Sequence, residues 1–213
     1  MKILFLGDSI TQGVGASCVE NCYVSQVGKK LGCETRNYGI SGTRIAKQRN
    51  LSYPSTHDMD FQLRASLMEK EADMVFVFGG TNDYGHGDAY IGEYDNKDPY
   101  TFYGAVRLLI EELSQIYGKE KLHFILPLHR FREDALPCKG ANRDELGEPL
   151  EKYVEVLREV LEKYEIKYLD MYNGGFPKPM TAGDEYTTDG LHPNDYGHNW
   201  LADKICEYIK ENS

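Results

Sequence analysis

Short runs of apolar residues alternate along the chain with longer stretches in which apolar positions recur at the spacing of an α-helix. The clearest short run is Met74–Phe78 (MVFVF), which has no polar position. An uninterrupted apolar run is typical of a strand in a parallel sheet, because helices cover both of its faces. The sequence predicts five strands, which are Lys2–Leu6, Thr35–Tyr38, Met74–Phe78, Leu122–Leu126 and Lys167–Asp170.

The longer stretches between these strands carry the signals of helix ends. Pro99–Tyr117 has proline near its start and Gly118 after its last residue, which is the usual asymmetry of helices. The predicted helices are Tyr23–Leu31, His57–Glu71, Pro99–Tyr117, Glu148–Tyr164 and Asn194–Lys210. Five strands that alternate with helices predict an α/β sandwich around a mostly parallel sheet.

Two long irregular segments follow predicted strands, at Tyr84–Asp98 and His129–Gly147. Segments of this length are often functional. Because ligands bind beyond the carboxyl ends of the strands in open α/β sheets, we expect both segments at the functional edge. No repeat, low-complexity tract or linker divides the chain, so residues 1–213 are interpreted as one domain.

Composition narrows the possible functions and partners. A net charge of −10 disfavours nucleic acid and anionic membranes, because basic patches supply that binding. No apolar run approaches the ~20 residues that span a bilayer, and Asp8 interrupts the N-terminal run, so we expect a cytoplasmic protein. The five scattered cysteines favour reduced thiols over a disulfide framework or a metal site.

The motif Gly7–Ile10 (GDSI) directly follows the first predicted strand. In one interpretation, Asp8 or Ser9 only caps the next helix, as these residue types often do. In the other, Ser9 is a nucleophile at a helix N-terminus, where backbone N–H groups favour developing negative charge. A serine hydroxyl then needs a general base within hydrogen-bond reach, and the base needs an orienting partner.

The segment Thr188–Pro193 (TDGLHP) supplies a candidate for each of these partners. Asp189 and His192 are three residues apart, and the glycine and proline beside them favour a turn that brings them together. The carboxylate then orients the imidazole and stabilises its charged form. The alternative is a turn at the start of a helix with a surface histidine.

Two further motifs offer hydrogen-bond donors for an oxyanion. Asn82 lies in GGTND, directly after the strand Met74–Phe78, and its side-chain amide is a suitable donor. Gly42 lies in NYGISGT after the second strand, where glycine lets the backbone approach a substrate and present its N–H. The alternative for both is turn chemistry, since glycine, asparagine and aspartate dominate turns.

Together and in this order, the four motifs resemble the blocks of the SGNH hydrolases, the superfamily of GDSL esterases and lipases. GDSI resembles the nucleophile block, in which Ile10 replaces the usual leucine, and DGLHP resembles the last block. The segments around Gly42 and Asn82 resemble the two blocks between them. The resemblance spans residues 7–193, and the GxSxG motif of the α/β-hydrolases is absent.

The resemblance implies a flavodoxin-like, three-layer α/β/α fold with a five-stranded parallel sheet in the order 2-1-3-4-5. It implies a triad of Ser9 as nucleophile, His192 as base and Asp189 as orienting acid. The implied oxyanion hole consists of the N–H groups of Ser9 and Gly42 and the Asn82 side chain. No metal or organic cofactor is implied, and the oligomeric state is left open.

Loop position near these motifs predicts substrate contact for several polar or aromatic residues. These residues are Asp8, Arg44, Tyr84, His86 and His129, with Arg130 in the same cluster. The alternative is that they brace the site or lie on solvated loop surface. His57, at the start of a predicted helix, is interpreted as structural.

The expected partner is a small-molecule ester. No exposed amphipathic segment argues for a lipase that acts at an oil interface. An acidic chain with 16 tyrosines suits small polar esters, and within this superfamily that suggests acetyl groups on carbohydrate. The rival functions are a lysophospholipase or thioesterase, a non-catalytic binding module that kept the fold, and a phosphate-binding flavodoxin or receiver domain. The last of these leaves DGLHP unexplained.

Overall fold

A computed structural model describes residues 1–136 and 147–212. Its five strands form one sheet in the order β2-β1-β3-β4-β5, and every neighbouring pair is parallel. The strands are β1 (Lys2–Gly7), β2 (Glu34–Gly39), β3 (Met74–Phe78), β4 (Leu122–Ile125) and β5 (Lys167–Leu169). The predicted fold class and strand order are confirmed.

Helices cover both faces of this sheet. The helices are α1 (Ser9–Gln12), α2 (Tyr23–Leu31), α3 (Phe61–Ala65), α4 (Thr81–His86), α5 (Phe102–Tyr117), α6 (Leu150–Tyr164) and α7 (Asp195–Asn212). Helices α2 and α7 pack on one face, and α3, α5 and α6 pack on the other, which gives three layers. In the described part of the chain, no helix combines the length and apolarity that a membrane crossing requires.

Side chains of the central strands alternate between the two layers, as the period of a strand requires. In β1, Leu4 and Leu6 pack with the α5 layer, whereas Ile3 and Phe5 pack with the α2 and α7 layer. The same division runs through β3, whose five residues are all buried. Every position of Met74–Phe78 is apolar because helices cover both faces of the sheet at this strand.

The predicted helix His57–Glu71 is wrong in extent. The α-helix covers only Phe61–Ala65, and a 3₁₀ turn at Ser55–Asp58 precedes it. Asp60 causes the break, because its side chain accepts the N–H of Leu63 at 2.9 Å and so caps α3. Aspartate in this role marks the start of a helix and not its interior.

The two segments predicted to be irregular follow β3 and β4. Tyr84–Asp98 begins inside α4, a helix of six residues that starts soon after β3 and is too short to show a helical period. Of His129–Gly147, residues 131–134 form turns, and residues 137–146 lie outside the described residues.

Candidate active site

Ser9 is the first residue of α1, two residues beyond the end of β1. Asp8 caps this helix, because its Oδ1 accepts the N–H of Ile10 at 3.0 Å. Ser9 is 5% exposed and Asp8 is 2% exposed, and burial raises the pKa of Asp8 to about 6. The cap and the candidate nucleophile are therefore adjacent residues with different tasks, and the Ser9 hydroxyl is left for another partner.

That partner is His192, which lies 183 positions away in the sequence. Its Nε2 is 2.9 Å from Ser9 Oγ, and its Nδ1 is 2.7 Å from Oδ2 of Asp189. The structure thus brings together the three residues that the motifs single out. With the ring proton on Nδ1 and directed at the carboxylate, Nε2 presents its lone pair to the serine hydroxyl, as a general base must.

A tight turn sets the geometry of this histidine and aspartate pair. Oδ1 of Asp189 accepts the N–H groups of Leu191 and His192 at 3.0 and 2.8 Å, which leaves Oδ2 for the ring. Burial acts to raise the pKa of Asp189, but hydrogen bonds from the N–H and ring of His192 outweigh it and lower that pKa. Asp189 is therefore ionised at neutral pH, the state that orients and stabilises an imidazolium.

Hydrogen bonds at the start of α7 fix this turn relative to the Ser9 segment. Asp195 accepts bonds from the N–H and Oγ of Ser17 at 2.7 and 2.6 Å and from the amide of Asn21 at 2.9 Å. The bonded residues are 178 and 174 positions apart. The candidate base and the candidate nucleophile thus come from distant segments of the chain that these hydrogen bonds join.

Asn82 lies in the first turn of α4 and is 5% exposed. Its Nδ2 donates to the backbone carbonyl of Thr43 at 3.0 Å. An amide nitrogen carries two N–H donors, so this bond fixes the plane of the amide without using both of them. The arrangement suits a donor that must already be in place when an oxyanion forms.

Gly42 adopts a left-handed conformation, with φ of 75°. A Cβ at this position would lie 2.1 Å from Nε2 of His57 unless that ring moved, and the left-handed backbone also favours glycine. The neighbouring Ser41 donates its N–H and Oγ to Oε1 of Gln12 at 2.7 and 2.6 Å. The Gly42 segment is therefore attached to the helix that carries Ser9.

Arg44, two residues after Gly42, is in contact with His86. Arg44 is 1% exposed, and its guanidinium donates to Oγ of Ser52 at 2.5 Å and Oδ1 of Asp58 at 3.1 Å. Another of its nitrogens lies 3.1 Å from Nδ1 of His86. Burial, and then the charge of Arg44, lower the pKa of His86 to about 4. These contacts favour a bracing role for both residues over direct substrate contact.

Tyr84 and His129 make hydrogen bonds to the segment that follows β4. The hydroxyl oxygen of Tyr84 lies 2.8 and 2.9 Å from the carbonyl oxygens of Arg132 and Ala135, and its one proton can be donated to either. Nδ1 of His129 lies 2.8 Å from the carboxylate of Glu133, whose side chain is 1% exposed. Both contacts favour bracing. Among residues 1–136 and 147–212, no three His, Cys, Asp or Glu side chains are grouped as metal ligands would be.

Two buried charged residues near the site belong to none of the roles predicted from the motifs. Asp83 accepts the N–H groups of Ile45 and Ala46 at 3.0 and 2.9 Å, and burial raises its pKa to about 6. Arg64 is 4% exposed and lies among the buried residues of α3. The burial of Arg64 could have been predicted from helical spacing, because Arg64 stands three residues after the buried Phe61 and so lies on the same side of the helix.

Solved structures of other proteins share this fold across 98% to 99% of the chain. A protein from Lactobacillus plantarum is 26% identical, with a TM-score of 0.80 over 99% of this chain and 96% of that chain. Est24, a carbohydrate acetylesterase from Sinorhizobium meliloti, is 15% identical, with a TM-score of 0.67 over 99% and 98%. The acetyl xylan esterase AlAXEase is 21% identical, with a TM-score of 0.66 over 98% and 100%. The last two identities show a shared fold alone.

A search of the curated proteins found no match to this sequence. The sequence does match the profile of the GDSL-like lipase/acylhydrolase family over residues 5–200. This range contains all four motifs, from GDSI to DGLHP. The chain therefore belongs to the GDSL-like lipase/acylhydrolase family.

Proposed function

We propose that this protein is a serine esterase that hydrolyses small carboxylic esters through an acyl-enzyme on Ser9. The observation that carries the proposal is the hydrogen-bonded row from Ser9 through His192 to Asp189, with distances of 2.9 and 2.7 Å. Membership of a lipase and acylhydrolase family supports ester hydrolysis as the class of reaction.

In the first step, Ser9 Oγ bonds to the ester carbonyl carbon while its proton passes to Nε2 of His192. The carboxylate of Asp189 stabilises the imidazolium that results. The carbonyl oxygen becomes an oxyanion, and the oxyanion hole accommodates it. Its donors are the N–H groups of Ser9 and Gly42 and the Asn82 amide.

Collapse of this intermediate breaks the bond to the alcohol, which takes the proton from His192 and leaves. The acyl group stays on Ser9. A water molecule then attacks the acyl carbon and gives its proton to His192. The carboxylic acid departs as that proton returns to Ser9 Oγ, so the enzyme is regenerated.

We propose short acyl groups, and acetyl groups on carbohydrate in particular, as the substrate class. Two proteins that share the fold carry the descriptions carbohydrate acetylesterase and acetyl xylan esterase. The net charge of −10 also favours small polar esters over anionic lipid surfaces. Because one fold hosts varied acyl substrates, acyl chain length is the property to measure first.

The test is hydrolysis of 4-nitrophenyl acetate, butyrate and octanoate by the wild type and by Ser9→Ala. We expect activity that falls with chain length and is lost in the variant, after which acetylated sugars are assayed. Highest activity on octanoate would move the substrate toward lipids or thioesters. Equal activity in both proteins, or none in either, would remove Ser9 as nucleophile and favour a binding module.

A further inference from the structure

Arg64 is 4% exposed, and its guanidinium donates to four different acceptors. Nη1 donates to the carbonyl of Gly7 at 3.0 Å and also to the carbonyl of Tyr38. Nη2 donates to Oγ1 of Thr43 at 2.8 Å, and Nε donates to the carbonyl of Met59 at 2.9 Å. One side chain of α3 therefore holds three other chain segments at fixed separations.

The partners of Arg64 lie next to the residues to which we assign the reaction. Gly7 is two residues before Ser9, and Thr43 directly follows Gly42. Tyr38 lies near the end of β2, where the segment that leads to Gly42 begins. The guanidinium therefore sets the spacing between the nucleophile segment and the glycine segment.

Thr43 extends this connection to the third predicted donor. Its backbone carbonyl accepts the Nδ2 of Asn82 at 3.0 Å, and its Oγ1 donates to the carbonyl of Ile40 at 2.7 Å. Thr43 is 1% exposed, so water does not compete for these bonds. A continuous path of hydrogen bonds runs from Arg64 through Thr43 to Asn82.

A buried guanidinium is a costly way to fill space in a core. An apolar side chain of similar volume avoids the desolvation penalty of the charge. Within the described residues Arg64 forms no salt bridge; its hydrogen bonds go to three carbonyls and one hydroxyl, and the charges of Asp8 and Asp60 act on it without a direct hydrogen bond. The planar fork of arginine, with five N–H donors, suits several fixed acceptors at once, whereas lysine offers a single point charge.

We propose that Arg64 is a positioning residue for the oxyanion hole, acting through Gly7 and Thr43 on the placement of Ser9, Gly42 and Asn82. This inference rests on the proposed esterase function. Oxyanion donors act at 2.7–3.1 Å from the oxyanion, and misplacement of a reacting group by about 1 Å can cost about 10²-fold in rate. A small change in spacing at Arg64 therefore affects turnover more than substrate binding.

The first test compares Arg64→Lys with Arg107→Lys on 4-nitrophenyl acetate. Arg107 is a half-buried control that also donates to backbone carbonyls, those of Tyr94 and Asn96, neither of which carries a role in the proposed reaction. We expect Arg64→Lys to lower kcat by about 10- to 100-fold, with KM within about threefold of the wild type. Arg107→Lys should retain the wild-type kcat. A wild-type kcat in folded Arg64→Lys would overturn the proposal.

The second test separates positioning from a loss of general stability. A double-mutant cycle combines Arg64→Lys with Asn82→Ala, because residues in one network are non-additive whereas independent residues add. We expect Arg64→Lys to lower kcat by less than about threefold once Asn82→Ala has removed the donor. If Arg64→Lys lowered kcat by the same factor with and without Asn82→Ala, the proposed path through Thr43 would be wrong.

A third comparison remains informative even if Arg64→Lys does not fold. Thr43→Val keeps the shape of the side chain but removes the acceptor for Arg64, and Thr43→Ser keeps the hydroxyl. We expect Thr43→Val to lower kcat by about 10-fold or more and Thr43→Ser to recover most of that loss. Equal kcat in the two variants would overturn the proposal. Absence of Ser9-dependent hydrolysis in the wild type would overturn the proposed function as well, whereas normal hydrolysis in every variant would overturn the positioning role alone.

Discussion

Two predicted site residues, Asn82 and Asp189, make hydrogen bonds to the backbone with their polar side-chain atoms. The amide of Asn82 is fixed by the carbonyl of Thr43, and the carboxylate of Asp189 is fixed by two N–H groups of its own turn. Side chains fixed in this way need little reorganisation when charge develops in a reaction. At the residue scale the site is therefore arranged before a substrate arrives.

Replacement of Asn82 tests this arrangement directly. We expect Asn82→Ala to lower kcat by about 10²–10³-fold with little change in KM, because one oxyanion donor is removed. The control is Asn199→Ala, since the Asn199 amide donates to Asp203 within α7. Steady-state kinetics on 4-nitrophenyl acetate give both constants. Near-wild-type turnover in Asn82→Ala would exclude Asn82 from the oxyanion hole.

Asp8 predicts a dependence of stability on pH. The ordinary pKa of its carboxyl is 3.8, and burial raises it to about 6 in the folded protein. Between these values the folded state keeps a proton that the unfolded state has released, so this group lowers stability as pH rises through the window. Asp8→Asn removes the charge while keeping an oxygen that can cap α1.

We therefore expect Asp8→Asn to raise the free energy of unfolding at pH 8 by about 1–3 kcal/mol and to leave it unchanged near pH 4. Urea unfolding at the two pH values measures the difference. A gain of the same size at both values would show that the charge of Asp8 is not its cause.

The residues expected to carry chemistry can be predicted from sequence more easily than the buried residues that hold them. Ser9 and His192 stand in short motifs whose residue types serve acyl transfer, and the structure brings them to 2.9 Å. Arg64 stands in no such motif, and Asp83 closes GGTND without a role that the motif predicts; charged residues are rarely buried, so residue type alone does not predict that either lies in the core. Their partners are backbone groups of distant segments, which no local pattern encodes.

Short helices at strand ends determine where the predicted site residues stand. Helix α1 has four residues and α4 has six, and they follow β1 and β3 closely. Helices of this length are marginal in isolation, and tertiary contacts maintain them. For the same reason a 3.6-residue period cannot reveal them, whereas the nine or more residues of α2, α5, α6 and α7 show it clearly.

The turn after β2 gives a prediction at the scale of elements. Gly42→Ala places a Cβ in a left-handed backbone and within 2.1 Å of the ring of His57. The matched control is Gly32→Ala, which has a φ of 61° at the end of α2 but nothing within 4 Å of its Cβ. The control measures the backbone cost alone, which is about 1–2 kcal/mol.

We expect Gly42→Ala to lower the free energy of unfolding more than Gly32→Ala, and only Gly42→Ala to lower kcat. Thermal unfolding and 4-nitrophenyl acetate kinetics give the two quantities. A normal kcat in a folded Gly42→Ala protein would mean that the turn has no part in the reaction.

At the scale of the whole molecule, the excess of acidic residues produces a negative electrostatic potential. The chain carries 34 acidic and 24 basic residues, which gives the net charge of −10. Such a charge raises the local concentration of cations and lowers that of anions, and salt screens the effect over about 10 Å at 0.1 M. Among esters of equal shape, those that carry a positive charge should be favoured at low salt.

Acetylcholine and its uncharged isostere 3,3-dimethylbutyl acetate test this expectation. We expect the ratio of their kcat/KM values to favour the cation at about 10 mM salt and to fall several-fold by about 500 mM. The neutral ester is the control for general effects of salt on the enzyme. A ratio that does not change with salt would show that the net charge has no influence on substrate approach.

The separation of 183 positions between Ser9 and His192 also affects when the two residues can meet during synthesis and folding of the chain. A ribosome makes the candidate nucleophile early and the candidate base much later, and Asp195, which accepts hydrogen bonds from Ser17 and Asn21, comes after both in the chain. Until that last segment docks, the serine is an ordinary alcohol with no proton acceptor beside it. Under the proposed mechanism, Ser9-dependent ester cleavage is therefore expected to begin only after the C-terminal segment has docked.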